Sequence, residues 1–278
     1  MGGWGPDEAV SNTLQVCDAV KGTWSKGPAV PEGHYGASGV ALGGRLYVIG
    51  GCTNTDCTDS VYVFDPGTGT WSKTAPYPTT ISWASCGAIS GKVYCAGGTH
   101  DYVETGHGYV YSPASDSRQA IADMPTGLSA AVHAAADGRL LVSGGFKRVQ
   151  ENRVLTGEGY AYTPDTDTWS RLPDAPSPVY LGGGAPGTYR VGSSQPRLPT
   201  PVASAILLPG YDRTESDVSW LSETPHRLVL RPGRSATVTV TLDANGVSGP
   251  GVWTASLTFV HDTPYPVKAL PVSLHVRS

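Results

Sequence analysis

His100-Asp101 places an imidazole next to a carboxylate, the pairing that serves a general base and the group that orients it. No nucleophile stands at a spacing that the sequence can join to it, so polar decoration of a loop is the plainer reading. Asn54, Asp56 and Asp59 gather oxygen ligands of the kind calcium takes. They lack the EF-hand spacing, and an Asp-rich turn is the commoner meaning. His34-Tyr35, Trp83 and Tyr180 offer aromatic area with polar tips, and Arg148 adds a guanidinium. On one shared face such groups suit a sugar or a peptide; dispersed, they are channel plugs or packing between elements.

Five cysteines complete the set. Cys52 and Cys57 bracket Thr53-Asn54-Thr55-Asp56, a loop short enough to be stapled. Cys86 and Cys95 flank a hairpin whose turn falls at Ser90-Gly91. Counting outward, Ile89 faces Lys92, Ala88 faces Val93, Gly87 faces Tyr94, and Cys86 faces Cys95. Directly opposed residues of a non-hydrogen-bonded pair lie about 4.5 Å apart at Cα, inside disulfide range. The competing reading is two packed free thiols, because the equivalents Val48, Val142 and Val191 are core-like. Zinc asks for about four ligands, and no His or further Cys sits at matching spacing. Cys17 is left over. Two disulfides would favour an oxidising, extracellular setting.

What must hold these groups is a chain of strands and turns. Gly (36) and Pro (23) exceed average usage without reaching the level of collagen or disorder, and only 15% of residues are charged. Helix interiors exclude Gly and Pro, which argues against a helix bundle or coiled coil. A net charge of −4 without a Lys/Arg cluster disfavours nucleic acid. No apolar run approaches the ~18 residues of a membrane span. The start, Met1-Gly2-Gly3-Trp4-Gly5-Pro6, lacks the charged and apolar regions of a signal peptide, so an export signal would lie outside this chain.

The chain repeats itself. Gly50-Gly51, Gly97-Gly98 and Gly144-Gly145 stand 47 residues apart, and Gly192-Ser193 follows 48 after Gly144. Each closes a β-like run, from Arg45 to Ile49, Lys92 to Ala96, Arg139 to Ser143 and Thr188 to Val191. Further runs at Val61 to Pro66, Tyr109 to Pro113 and Tyr160 to Pro164 lead into Trp71, Arg118 and Trp169. Trp24 sits 47 before Trp71, after the run Leu14 to Asp18, so Cys17 takes the position of Phe64 and is expected to be a buried small hydrophobe. Proline-bounded corners at residues 28–31, 76–78, 124–125 and 173–176 precede each new unit.

A period near 50 carrying a Gly doublet, a Tyr and a Trp resembles the kelch repeat of β-propellers, over roughly residues 10 to 210. That resemblance implies four-stranded antiparallel blades stacked around an axis, with Tyr and Trp between them. Residues 12–26 supply only the outer strands of a unit, and residues 178–209 a degenerate last one. Either the N-terminal strands close a small ring, or the chain is a trimmed piece of a larger propeller; the arbitrary leader favours the second. In such a propeller the inner-strand starts and the loops after the Gly doublets share a face. His34, Tyr35, Trp83, Tyr180, His100, Asp101 and Arg148 all fall there. Galactose oxidase-like enzymes also use kelch propellers, with copper held by Tyr and His, but no motif here carries those ligands over.

After Pro209-Gly210-Tyr211-Asp212 the doublets stop. Val218 to Ser222, Leu228 to Gly233, the alternating Ala236 to Leu242, Gly251 to Val260 and Val272 to Val276 read as a small antiparallel sandwich. Trp220-Leu221-Ser222, then Leu230-Arg231-Pro232-Gly233, then Thr237 to Thr241 look like bacterial immunoglobulin-like modules of the BACON type. The expected organisation is all-β, with a kelch-type propeller at 1–213 and an immunoglobulin-like sandwich at 214–278. The order of modules also resembles C-terminal regions of secreted subtilisin-like peptidases, although no Gly-Thr-Ser-Met-Ala segment is present. The resemblances together imply a non-catalytic, secreted module that binds a protein, peptide or glycan, possessing no cofactor. An accessory role beside a peptidase domain is the alternative.

Overall fold

Short runs of β-branched and aromatic residues bounded by turn residues can satisfy their backbones only by pairing with one another. The computed structural model describes residues 2–3, 9–18, 21–178, 180–185, 188–191, 205–207, 220–225, 229–231, 233–247, 249–257 and 270–277. Gly192-Ser193, Pro209 to Asp212, Val218-Ser219, Leu228, Pro232, Thr258 to Val260 and the 213/214 boundary lie outside them. The chain divides into two compact units, Met1–Glu215 and Ser216–Ser278.

The first unit is a series of blades. Strands β1 (Gln15–Asp18) and β2 (Thr23–Lys26) form a two-stranded sheet. The next blade contains β3 (Ser38–Leu42), β4 (Arg45–Ile49), β5 (Val61–Asp65) and β6 (Thr70–Lys73), hydrogen-bonded in that order. The following blade pairs β7 (Ser85–Ile89), β8 (Lys92–Ala96), β11 (Gly108–Ser112) and β12 (Ser117–Ile121). It also carries a small hairpin, β9 (Thr99–His100) with β10 (Val103–Glu104), between its second and third strands. The same plan recurs in β13 (Val132–Ala136), β14 (Arg139–Ser143), β17 (Gly159–Thr163) and β18 (Thr168–Leu172), with the hairpin β15 (Phe146–Val149) and β16 (Asn152–Leu155). Three strands, β19 (Gly183–Ala185), β20 (Thr188–Val191) and β21 (Ala205–Leu207), form the last sheet.

The hydrophobic core lies between blades rather than within them. Val40, Tyr47, Ile49 and Val63 pack against Tyr77, Ile81, Cys86, Cys95 and Tyr111 of the next blade. Ile89 and Tyr94 pack in turn against Leu140, Val142, Tyr160 and Tyr162. Ring pairs repeat at the same register, with Tyr47–Tyr111 at 5.9 Å and Tyr94–Tyr162 at 5.8 Å. A blade alone would expose these faces, so stacking supplies the burial.

The first two of the Gly doublets stitch one blade to the next. All six glycines have positive φ, from +61° at Gly50 to +98° at Gly51. The second glycine donates across the gap, Gly51 N–H to the Ile81 carbonyl and Gly98 N–H to the Leu128 carbonyl, both at 2.8 Å. A Cβ on Gly50 or Gly97 would collide with those same carbonyls. Gly2-Gly3 is a further doublet that the sequence reading passed over as leader. Gly3 N–H donates to the His34 carbonyl at 2.8 Å, and Ser11 N–H returns to the Gly3 carbonyl at 2.8 Å. Thr58, Thr105 and Thr156 make the same return to Gly51, Gly98 and Gly145.

A second set of ties clamps the corners. The Trp71 indole N–H donates to the Pro28 carbonyl at 3.1 Å, and Trp169 to the Ala122 carbonyl at 2.8 Å. Arg118 fills the same role with its Nε on the Pro76 carbonyl at 3.0 Å, its guanidinium 4.6 Å over the Tyr111 ring. Asp116 and Asp167 accept from Ala75 N–H and Ala122 N–H of the preceding blade and from the Tyr111 and Tyr162 hydroxyls. Phe64 and Gly69 stand at these two positions in the first complete blade, where both partners of the tie are missing together.

The backbone N–H, followed by the tyrosine hydroxyl, holds both aspartates below the usual carboxylate range. Burial, then the bond to Asp116, pushes the Tyr111 hydroxyl up to about 12. A depressed carboxylate stabilises the fold above its unfolded pKa and loses that contribution as pH falls through its folded one. The first unit is therefore expected to lose stability below about pH 4, the unfolded carboxylate value. Replacing Asp116 and Asp167 with Asn should flatten that acid limb by up to about two protons in a denaturant series across pH. An unchanged slope would contradict the clamp.

Both sequence-derived disulfides are present, Cys52–Cys57 and Cys86–Cys95. The second follows the counted register, with Cys86 opposite Cys95 and the turn at Ser90-Gly91. Cys17 corrects the expectation of burial. It pairs with Trp24 as Phe64 pairs with Trp71, but it is exposed. Trp24 is 70% exposed, because no inner strands or preceding blade cover β1–β2 among the described residues.

In the second unit, β22 (Leu221–Thr224) pairs with β23 (Thr239–Leu242), and β24 (Gly251–Leu257) with β25 (Leu270–Val276), all antiparallel. Trp220 and Leu221 are buried.

Candidate functional site

The strand entries that sequence placed on one face are joined by a ladder of backbone bonds. Gly36, Trp83, Ala130 and Leu181 occupy equivalent positions with φ of +66°, +58°, +51° and +57°. Trp83 N–H donates to Gly36 O at 2.7 Å, Ala130 N–H to Trp83 O at 3.1 Å, and Leu181 N–H to Ala130 O at 3.0 Å. Left-handed backbone at non-glycine residues costs free energy and persists where the surroundings impose it. Here the ladder imposes it, and the side chains before and within it are fixed at the same end of each blade.

The loop after each Gly doublet forms an arm beside this ladder. Tyr35 and Cys52 exchange two backbone bonds, Ser82 pairs with Thr99, and Ser129 pairs with Phe146. The first arm is closed by Cys52–Cys57, the second by the Asp101-Tyr102 turn (φ +48° and +63°), and the third by a turn through Gln150. Loops in the sequence reading, the second and third are hairpins. Tyr102 stands 69% exposed at its tip.

Two aromatic pairs flank the ladder. Tyr35 lies 6.2 Å from Trp83, whose indole covers Gly36 so closely that a Cβ there would sit 2.7 Å from it. Tyr180 lies 4.7 Å from Phe146 at the start of the third arm. Tyr35, Trp83 and Tyr180 are each half-buried.

Between the pairs is an ion cluster built on one buried carboxylate. The Glu104 side chain is 1% exposed, with Arg153 Nε 2.6 Å from Oε1 and Arg148 Nε 3.3 Å from Oε2. The Ser129 hydroxyl donates to Oε1 at 3.3 Å and accepts from Arg153 Nη2 at 3.0 Å. The Arg153 guanidinium rests 4.1 Å over the Phe146 ring. Arg148 spends its other nitrogens on the carbonyls of Glu151 and Tyr102, both at 3.4 Å. Arg148, the cation singled out from sequence, is thus committed to bracing the arms, whereas Arg153 is 43% exposed. Neither Glu104 nor Arg153 was singled out by sequence; each needs the juxtaposition of two blades to acquire meaning.

His34 and His100 are placed differently from the aromatics. His34 is 4% exposed, packs edge-on against Tyr62 and sits 2.6 Å by Nδ1 from the Gly50 carbonyl, which seats the blade entry. His100 Nδ1 lies 3.0 Å from the Thr80 carbonyl and 2.9 Å from the Thr80 hydroxyl. With the proton on Nδ1 the ring donates to that carbonyl, and with it on Nε2 the ring accepts from the hydroxyl, so either tautomer ties His100 to Thr80. Asp101 stands 3.5 Å from Nε2. This arrangement anchors an arm. Asn54 Oδ1 accepts from Val10 N–H at 3.2 Å, a loop bond rather than a cation site. Among the described residues no group of three or more His, Cys, Asp or Glu side chains could hold a metal ion.

Blades of four antiparallel strands, cores between blades and a ladder of strand entries around an axis define a kelch-type β-propeller. The chain belongs to the kelch-repeat family: the KLHDC2/KLHL20/DRC7 Kelch-repeats domain matches residues 1–181. A solved structure titled "Structure of YjhT" is similar in fold, with a TM-score of 0.57 at 16% identity over 69% of this chain and 68% of that one. No curated protein sequence matches this chain. No helix is long and apolar enough to cross a membrane among the described residues.

Proposed function

We propose that the first unit is a non-catalytic binding module that holds a protein or peptide segment on the arm-bearing face. The observation that carries this reading is the pair of aromatic contacts, Tyr35–Trp83 and Phe146–Tyr180, on either side of the Glu104–Arg153 cluster. Aromatic rings provide contact area with little rotamer entropy to lose, and they recur among binding hot spots. The backbone ladder fixes them before a ligand arrives, which lowers the cost of ordering on binding. The two disulfides support an oxidising, extracellular setting. The second unit, Ser216–Ser278, reads as an immunoglobulin-like sandwich that accompanies the propeller.

The test is a screen of the intact chain against peptide and glycan arrays. Saturable retention of related peptides is the expected result. Selective retention of glycans would replace the protein ligand with a carbohydrate on the same aromatics, and retention of neither would overturn the reading.

A further inference from the structure

We infer that Glu104 is a positioning residue that joins the second and third arms into one preformed wall and aims Arg153 at the ligand. This rests on the reading of the face as a binding site, but its first test does not. Glu104 belongs to β10, at the base of the second arm, while Arg148 and Arg153 belong to β15 and β16 of the third. One buried carboxylate therefore receives both arginines of the neighbouring arm, one on each oxygen. A buried carboxylate is tolerated only when paired and hydrogen-bonded, so the arms cannot separate without exposing or orphaning it.

The geometry divides labour between the arginines. Arg148 has all three nitrogens on acceptors inside the two arms, and its bond to the Tyr102 carbonyl reaches the tip of the second. Arg153 uses Nε on Glu104 and Nη2 on Ser129, with one guanidinium face on Phe146. Among the described residues its Nη1 has no acceptor. Half-exposed between Phe146 and the ladder, it is the donor presented to a ligand, and the group it fits is a hydrogen-bond acceptor of a peptide, a backbone carbonyl or a side-chain carboxylate. Planar donors held by a carboxylate behind them keep one orientation, which is how the cluster would add specificity to the stacking area of the rings.

Hydrogen exchange of the full chain tests the strut without any ligand. Glu104→Gln keeps the shape but removes the charge, and it should speed exchange at least tenfold in both arms, residues 99–104 and 146–155, with β14 unchanged. Arg148→Ala should reproduce the effect in both arms while the rest of the blade keeps its protection. Unchanged exchange, or acceleration in one arm only, would overturn the assignment of Glu104. With a peptide retained on the array, Arg153→Lys should weaken binding at least tenfold while both arms stay protected, because a lysine keeps the charge but not the planar donor. Full affinity in that variant would overturn the role of Arg153, whereas a chain that retains no peptide fails the face reading and leaves the exchange result to judge the strut alone.

Discussion

Gly97→Ala is expected to destabilise the first unit by about 2–5 kcal/mol. A left-handed residue with a Cβ costs roughly 1–2 kcal/mol, and overpacking against a fixed neighbour adds roughly 1–3 kcal/mol. Both apply because Gly97 has φ +71° and its missing Cβ would strike the Leu128 carbonyl, the acceptor that holds Gly98 across the blade gap. Gly91→Ala supplies the contrast. Gly91 has φ +74° but nothing within 4 Å of a Cβ, so only the conformational cost remains. Denaturant unfolding of the two variants separates the terms. Equal losses would mean that the doublet is a turn and not an inter-blade stitch.

Joint replacement of Tyr35, Trp83 and Tyr180 by Ala is expected to weaken ligand binding at least about 100-fold, since truncation of a single hot-spot aromatic commonly costs about 2 kcal/mol or more. The fold should survive. These side chains lie outside the inter-blade clusters, and Ala130 already occupies in the next blade the left-handed position held by Trp83. Titration of a ligand retained on the array, alongside thermal unfolding of the variant, checks both halves. Unchanged affinity in a folded variant would remove the aromatics from the site.

The propeller was legible because its requirements fall on residue types that cannot be exchanged. Only glycine combines positive φ with close approach of another backbone, so the doublets mark the three complete blades. The register of Cys86 and Cys95 followed from counting out from Ser90-Gly91, since a hairpin turn fixes which residues face one another. Other features depend on which blades touch. Gly2-Gly3 shows its kinship with the other doublets only in the bond of Gly3 to the His34 carbonyl. The Asp116 and Asp167 clamps join residues 41 and 45 positions apart in sequence, and their only trace is that Tyr111 and Tyr162 keep an Asp five residues on while Phe64 does not.

The binding face was half legible. Tyr35, Trp83 and Tyr180 follow from blade geometry, but the second arm does not, because Asp101-Tyr102 turns through left-handed backbone without glycine and the strands beside it are two residues long. Too short to alternate, they leave no period to read. Arg148 stands out in the sequence as a loop cation, whereas Glu104 and Arg153 gain their roles only from the contact of the two arms. The choice between two arginines of one hairpin depends on which nitrogens are already used, and that is a property of the assembled arms. Cys17 shows the converse error, since a position buried in complete blades is exposed where no neighbouring blade covers it.

The most direct measurement is a hydrogen-exchange footprint of a ligand retained on the array, taken on the intact chain. Binding at the proposed face slows exchange in residues 35–36, 82–83, 99–104 and 146–155, and leaves the strand turns at Gly43-Gly44, Ser90-Gly91 and Asp137-Gly138 untouched. Protection centred on those turns, or on the second unit, would contradict the account.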